Sequence, residues 1–211
     1  MIVTFLGIQG AGKDTQADLL VDRLGFKKIT TGGLLREASK HDPILAQKLK
    51  TGELISDELV ADLLKKELEK LIKKGQTNIV LSGFPRTLKQ VEILDKILRE
   101  LNTKLDRVVL FNLSEDEALK RLSYRRTCPK CGRVYHLIYN PPKKDGVCDI
   151  DGAKLYQRDD DTPEAIKVRF KKYYENINPI IDVYKKRGIL VSIDASPTIE
   201  EIFRKVKRVI K

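Results

Sequence analysis

The sequence predicts an α/β fold in which a parallel β-sheet is covered by helices on both faces. Short β-branched segments alternate with long helical patterns along the 211-residue chain. The strand segments are largely apolar, as strands buried on both faces of a parallel sheet should be. A glycine-rich loop follows the first strand and opens the first helix. These three observations together favour a single α/β core.

The expected strands are residues 2–6, 78–82, 107–113 and 189–194. The expected helices are residues 14–24, 57–73, 88–101, 115–126, 163–186 and 199–211. Residues 30–56 predict short helices with no strand between them, and residues 127–162 are rich in Cys, Pro, Gly and Asp, with a hairpin-like segment, GRVYHLIYN. We therefore expect two inserts on a core made of residues 1–29, 57–126 and 163–211.

Composition favours a soluble globular protein, with 41% hydrophobic and 34% charged residues and no apolar run long enough to span a membrane. The first six residues carry no basic leader, so we expect a cytoplasmic protein with no membrane partner. The net charge of +11 is compatible with nucleic acid or with small polyanionic substrates. Lysine is mixed with glutamate on helical faces and no aromatic residues interleave with it, so no nucleic-acid partner is expected.

The segment GIQGAGK, residues 7–13, lies between the first strand and the first helix, where the pattern G-x-x-x-x-G-K predicts a phosphate-binding loop. Its glycines let backbone N–H groups approach phosphate oxygens, and Lys13 adds a mobile positive charge. Thr15 stands one position later than the strict pattern requires. Asp14, between Lys13 and Thr15, places a carboxylate in a site that should hold anions.

Three further segments carry a family resemblance: TTGGLLRE (residues 30–37), SGFPRTLKQ (82–90) and YQRDDDTPEAIKVRF (156–170). With the loop, their order and separation resemble the adenylate kinases of the nucleoside monophosphate kinase family, in the long form with an extended lid. The resemblance covers nearly the whole chain. It implies a P-loop NTPase-type sheet, a small helical insert at residues 30–56 that binds the nucleoside monophosphate (NMP), and a lid at 127–162. It also implies a monomer that transfers the ATP γ-phosphoryl group reversibly to AMP, giving two ADP, with Mg²⁺ on the phosphates.

The resemblance assigns roles to individual residues. ATP would be bound by Gly10, Ala11, Gly12, Lys13, Asp14, Thr15, Arg121 and Arg125. AMP would be bound by Thr31, Arg36, Ile55, Gly83, Arg86, Gln90, Arg158 and Arg169. The group in transit would be stabilised by Lys13, Arg86, Arg125, Arg158 and Arg169, while Asp160 and Asp161 orient the lid arginines. Phosphoryl transfer between two anionic nucleotides does require such dense positive charge.

The cysteines predict a metal site. The segments CPKC (residues 128–131) and CDID (148–151) repeat the C-x-x-C spacing, with Asp in the last position. Cys128, Cys131, Cys148 and Asp151 would form a tetrahedral zinc site. His136 is a rival fourth ligand, ranked lower because Asp151 makes the second pair mirror the first. An odd cysteine count disfavours a disulfide in a cytoplasmic chain. The resemblance implies that Zn²⁺ is structural and folds the lid.

Four positions near the expected chemistry depart from the family pattern. Gln9 replaces a proline, Asp14 a glycine, Gly33 an aspartate, and Ser82 the aspartate before Gly-Phe-Pro-Arg. In the family that aspartate helps hold the water shell of Mg²⁺, and serine has no charge with which to do so. We hypothesise that Asp14 compensates for Ser82. The alternative is that Asp14 points away from the nucleotide and only complements the helix dipole.

Two other functions are open at this stage. The chain could phosphorylate CMP, UMP or GMP, although Thr31 and Gln90 favour AMP. It could also be a catalytically impaired relative that serves as a nucleotide- or RNA-binding module, against which the retained arginines argue. A nucleic-acid affinity that depends on salt would favour the second alternative.

Overall fold

The computed structural model describes residues 1–51 and 55–210. In chain order the elements are β1 (Ile2–Gly7), α1 (Lys13–Leu24), β2 (Lys27–Thr30), α2 (Thr31–Ser39), α3 (Pro43–Lys50), α4 (Asp57–Lys73), β3 (Ile79–Ser82), α5 (Leu88–Glu100), β4 (Arg107–Asn112), α6 (Glu115–Ser123), β5 (Arg125–Thr127), β6 (Val134–His136), α7 (Pro163–Lys186), β7 (Leu190–Asp194) and α8 (Ile199–Val209). A short 3₁₀ helix, Asp159–Asp161, precedes α7.

The central sheet has five parallel strands in the order β2-β3-β1-β4-β7. The chain passes from β3 on one side of β1 to β4 on the other, so the strand order reverses at β1. In the register, Phe5 lies opposite Ser82, and Gly7 lies opposite Phe111. The carboxyl ends of β1, β3 and β4 therefore meet at one edge, where ligands bind in open α/β sheets.

Hydrophobic residues fill both faces of the sheet. Alternate residues of β1 point to opposite sides, so that Ile2 and Leu6 pack into one cluster while Val3 and Phe5 pack into the other. The first cluster receives apolar side chains from α4, α5 and most of α7, and the second from α1, α6, α8 and the start of α7. This two-sided covering confirms the predicted fold class.

One strand of the sheet is absent from the sequence prediction. β2 has the sequence KKIT, and only Ile29 among its residues is buried. It lies at the edge of the sheet, where a strand needs little apolar surface, so its pattern does not stand out.

The expected helix over residues 115–126 is too long. α6 ends at Ser123, and residues 125–127 form β5, which pairs antiparallel with β6. A bridge between His136 and Asn140 continues the hairpin-like segment. Arg125 therefore lies on a strand that leads into the expected lid rather than on a helix.

The other elements follow the expectations closely. The segment around residues 30–56 contains α2 and α3, and its residues 52–54 lie outside the described part of the chain. The expected last helix also extends to Lys211, which lies outside it as well. Across residues 1–51 and 55–210, no helix combines the length and the apolar character that a membrane span requires.

Candidate active site

The predicted phosphate loop forms the turn between β1 and α1. Gly10 and Gly12 have φ angles of 89° and 81°, which side-chain-bearing residues rarely adopt. A Cβ atom at Gly10 would lie 2.6 Å from the carbonyl oxygen of Ala118, so only glycine fits there. Lys13 donates hydrogen bonds to the carbonyl oxygens of Gly7 (2.7 Å) and Ile8 (2.8 Å). The N-terminus of α1, with its partial positive charge, faces the same cleft.

A cavity of about 560 Å³ opens at the carboxyl edge of the sheet. Its walls contain most of the residues predicted from the sequence: Gly10, Gly12, Lys13, Asp14, Thr15, Thr31, Arg36, Ile55, Gly83, Arg86, Gln90, Arg121, Arg125, Arg158, Asp160 and Arg169. Ala11 and Asp161 are buried beside it. The tertiary fold thus gathers into one cleft residues that are up to 159 positions apart in the sequence, from Gly10 to Arg169.

Carboxylates hold the arginines near the lid. Arg125 donates from Nε to Oδ2 of Asp161 at 2.8 Å, and its Nη2 binds the other oxygen of the same carboxylate. Arg169 lies 3.1 Å from Oδ2 of Asp160 and 3.3 Å from Oδ1 of Asp161. Burial opposes ionisation of Asp160, but Arg169 and Arg125 outweigh it and lower its pKa. These contacts restrict the rotamers of both guanidinium groups.

Arg158 is held by a neutral partner instead. Its Nε donates to Oγ1 of Thr127 at 2.9 Å, and both residues are buried. Burial lowers the pKa of Arg158 to about 9, and the charges of Arg125 and Arg36 add to this effect. Burial also lowers the pKa of Lys13 to about 7, although the charge of Asp14 opposes this change. The cleft therefore concentrates more positive charge than its own carboxylates offset, which suits a polyanionic ligand.

The turn between β3 and α5 forms the opposite wall. Thr31 donates to the carbonyl oxygen of Gly83 at 2.8 Å, and Nε of Arg86 donates to the same oxygen at 2.8 Å. Gly83 has a φ of 83°, and a Cβ atom there would lie 2.9 Å from Nη2 of Arg86. Gln90, only 2% exposed, accepts from the backbone N–H of Arg86 and donates to Asp57, both at 2.6 Å. The turn is thus fixed by side chains predicted to bind AMP.

Two aromatic residues of this cleft were not predicted from the sequence. His136 and Tyr139 line it, with their rings stacked at 4.5 Å, and the guanidinium of Arg121 lies 5.9 Å from the Tyr139 ring. Nδ1 of His136 accepts hydrogen bonds from the backbone N–H groups of Ile138 and Tyr139, both at 3.1 Å. The signal in the sequence was the presence of three aromatic rings, Tyr135, His136 and Tyr139, within GRVYHLIYN. Stacked rings of this kind offer a flat surface to a base.

The ligand atoms of Cys128, Cys131, Cys148 and Asp151 all lie within 4.8 Å of one another. The three cysteines are free, and the sulfurs of Cys131 and Cys148 are 3.6 Å apart. Two sulfurs bound to one tetrahedral zinc at ~2.3 Å would be ~3.8 Å apart, so the donor set and its spacing fit Zn²⁺. Among the described residues this group does not include His136, the rival ligand, whose Nδ1 is occupied by the turn.

Asp14 and Ser82, two of the four departures from the family pattern, are in direct contact. Oγ of Ser82 donates to Oδ1 of Asp14 at 2.6 Å. The side chain of Asp14 therefore faces the cleft, and the expectation that it points away from the nucleotide site is wrong. Burial opposes ionisation of Asp14, but Lys28, Arg158, the Ser82 hydrogen bond and Lys13 together lower its pKa.

Comparisons with known proteins agree on one family. The profile of the family described as adenylate kinase matches residues 5–189. A protein of Archaeoglobus fulgidus named adenylate kinase is 44% identical, and the similarity covers 100% of this chain and 98% of that protein. Adenylate kinases of Staphylococcus epidermidis (42% identical, covering 96% and 95%) and Staphylococcus aureus (40% identical, covering 98% and 97%) are similar over comparable lengths.

Proposed function

This chain belongs to the adenylate kinase family and transfers the γ-phosphoryl group of ATP reversibly to AMP, giving two ADP, and we propose that five cations of its cleft stabilise the group in transit. They are Lys13, Arg86, Arg125, Arg158 and Arg169. One observation carries this proposal: the five side chains come from the phosphate loop, the β3–α5 turn, β5, the lid segment and α7, and all line one cavity. Aimed positive charge and positioning are the main requirements of phosphoryl transfer.

ATP binds along the phosphate loop and the lid side of the cleft. Backbone N–H groups of the loop and the N-terminus of α1 hold its phosphates, and Lys13 turns from its carbonyl partners toward them. Arg121 packs against the adenine together with the His136 and Tyr139 rings. The complete predicted set on this side is Gly10, Ala11, Gly12, Lys13, Asp14, Thr15, Arg121 and Arg125.

AMP binds on the β3–α5 side. Arg36 and Arg86 hold its phosphate, while Thr31 and Gln90 recognise its base and Gly83 lets the base approach the backbone. The complete predicted set is Thr31, Arg36, Ile55, Gly83, Arg86, Gln90, Arg158 and Arg169. The AMP phosphate oxygen attacks the γ-phosphorus in line, so no residue serves as a covalent nucleophile. The three similar proteins named above bear the name adenylate kinase, which gives no support to CMP, UMP or GMP as the acceptor.

Two metals complete the proposal. Mg²⁺ accompanies ATP in this family and neutralises part of the phosphate charge when bound. Zn²⁺ is held by Cys128, Cys131, Cys148 and Asp151, whose donor atoms and spacing fit it. Its role is to fold the lid, because the apolar cluster there contains few buried residues.

The chain works as three parts: a core (1–29, 57–126 and 163–211), an NMP-binding insert (30–56) and a lid (127–162). The insert and lid close over the core to exclude water. Arg158 and Asp160 of the lid approach Arg36 of the insert closely enough to affect the pKa values of these lid residues, which supports a closed arrangement. We further propose that the protein is a cytoplasmic monomer without nucleic-acid or membrane partners.

Initial rates with ATP and AMP, CMP, UMP or GMP test this assignment on zinc-loaded protein. We expect Mg²⁺-dependent ADP formation with AMP and a loss of ~10²–10³-fold in kcat for Arg158→Ala. Arg187→Ala is the matched control, because Arg187 pairs with Asp95 on the surface. Absence of turnover with AMP would contradict the function, and equal rates for both variants would contradict the role of Arg158.

A further inference from the structure

Asp14 occupies an unusual place for a carboxylate. It lies in the first turn of α1, directly after Lys13, and lines the cleft beside the phosphate loop. Its Oδ1 accepts the hydrogen bond of Ser82, the last residue of β3, which is only 3% exposed. The contact joins two residues 68 positions apart and holds the carboxylate at the carboxyl edge of the sheet.

A carboxylate here would repel the phosphates of a bound nucleotide. Lys13, Lys28 and Arg158 lie close enough to keep Asp14 ionised, so the charge is not removed by protonation. The same cations also bind the phosphates, so they do not remove the repulsion between Asp14 and the phosphates. A divalent cation between the two groups would turn this repulsion into attraction, and Mg²⁺ typically uses one or two carboxylates together with phosphate oxygens and water.

We propose that Asp14, oriented by Ser82, is the carboxylate through which this protein binds the hydrated Mg²⁺ of MgATP. The inference rests on the proposed function, because it concerns the ATP side of the same cleft. Ser82 acts as a positioning residue, since its hydroxyl fixes one oxygen of Asp14 and leaves the other oxygen for a ligand. Because the two side chains are in contact, an aspartate at position 82 should place its carboxylate in the same region as Asp14 does.

The test measures metal binding directly, with Mn²⁺ as the probe for Mg²⁺. Electron paramagnetic resonance titrations give Mn²⁺ affinity for the zinc-loaded protein saturated with a non-hydrolysable ATP analogue. We expect Asp14→Asn to weaken Mn²⁺ binding by ~10-fold or more and Ser82→Ala by several-fold. The double variant Asp14→Gly with Ser82→Asp should bind Mn²⁺ nearly as tightly as the wild type.

Asp18→Asn is the matched control. Asp18 lies one turn further along α1, pairs with Lys28 and carries the same charge, but it does not line the cleft. AMP binding without metal, measured by calorimetry, reports whether each variant is folded and should not change. Unaltered Mn²⁺ affinity in Asp14→Asn, or an equal loss in Asp18→Asn, overturns the proposal. ADP formation by the wild type is measured separately. A chain that is not a kinase is thereby distinguished from a kinase that does not bind its metal through Asp14.

Discussion

At the scale of single residues, the cleft is organised by side chains that fix other side chains. Thr127 holds Arg158, Asp161 holds Arg125, and Ser82 holds Asp14. Each partner removes rotamer freedom from a charged group before the substrate arrives, which lowers the entropic cost of positioning it. The same arrangement occurs in the metal group, where the hydroxyl of Tyr135 lies 3.5 Å from the sulfur of Cys148.

We predict that Tyr135→Phe weakens zinc binding by ~10–100-fold, the range observed when a partner of a metal ligand is removed. The Tyr135 hydroxyl accepts from the backbone N–H of Asp149 at 2.8 Å, so its own hydrogen is free for a thiolate at Cys148. Competition with a chromogenic chelator measures the affinity. Tyr124→Phe is the control, because Tyr124 is a lid-side tyrosine that is 45% exposed. Equal zinc affinity in the two variants would show that the Tyr135 hydroxyl has no such role.

The second residue-scale prediction concerns pH. Burial lowers the pKa of Lys13 from 10.5 to about 7, so the unfolded chain binds more protons than the folded chain between these values. The contribution of Lys13 to stability therefore rises with pH across this window. Bound phosphates favour the charged form, so we expect net proton uptake when ATP binds at pH 8.

Calorimetry in buffers with different ionisation enthalpies measures this proton uptake from the dependence of the binding heat on the buffer. Lys13→Arg supplies the control, because a guanidinium keeps its charge and has no proton to gain. A binding heat that is the same in all buffers for the wild type would contradict the prediction.

At the scale of elements, exposed ion pairs join the lid segment to the core and to the NMP-binding insert. Arg133, just before β6, pairs with Asp22 of α1 at 2.5 Å, and the two side chains are 28% and 42% exposed. Lys50 of α3 lies 3.8 Å from Asp159 at the other end of the lid. Such exposed pairs contribute little energy each, so they can break during every cycle of lid opening.

We predict that Asp22→Ala shifts the lid toward the open state and raises the KM for ATP by up to ~5-fold, the effect of losing an exposed ion pair of ~0.2–1 kcal/mol. The KM for AMP should change little, because the pair does not involve the AMP side. Glu100→Ala is the control, since its exposed pair with Lys65 joins α5 to α4 and does not line the cleft. Förster resonance energy transfer between a donor on the lid and an acceptor on the core measures lid opening directly. An equal change in both KM values would indicate that Asp22 stabilises the core instead.

At the scale of the whole molecule, stability is distributed unevenly. Two large hydrophobic clusters cover the faces of the sheet, whereas the lid cluster consists of Cys128, Tyr135, Cys148 and Leu155. Two of these four residues are proposed zinc ligands. The lid is therefore too small to fold on apolar burial alone, as in other small metal-dependent units.

We predict that chelation of zinc unfolds the lid while the core keeps its structure. ATP affinity should fall strongly, because His136 and Tyr139 lie on the lid segment and Arg125 is held by Asp161 of the lid, and AMP affinity should fall much less. Hydrogen exchange maps the unfolded segment, and calorimetry compares the two nucleotides before and after chelation. Readdition of Zn²⁺ is the control for reversibility. Uniform loss of protection across the core would contradict this division.

The α/β fold, the phosphate loop and the grouping of three cysteines with Asp151 could be predicted from the sequence alone. These features depend on neighbours in the chain: apolar periodicity within an element, glycine at defined spacings beside Lys13, and paired ligands three positions apart. Because these features depend on residues close together in the chain, they can be predicted from one sequence. The residues of the cleft were also named from motifs, and the roles assigned to them remain predictions until the kinetic and binding measurements are made.

The direction of the Asp14 side chain could not be predicted from the sequence, because Asp14 lies on α1 and its partner Ser82 lies on β3, 68 positions away. The same holds for His136 and Tyr139, whose position in the cleft depends on how the lid packs over α6, and for β2, whose pairing at the sheet edge needs no apolar pattern. Side-chain direction and edge pairing are set by contacts between distant segments. A pattern read along one chain does not contain those contacts, since they arise only when the elements pack together.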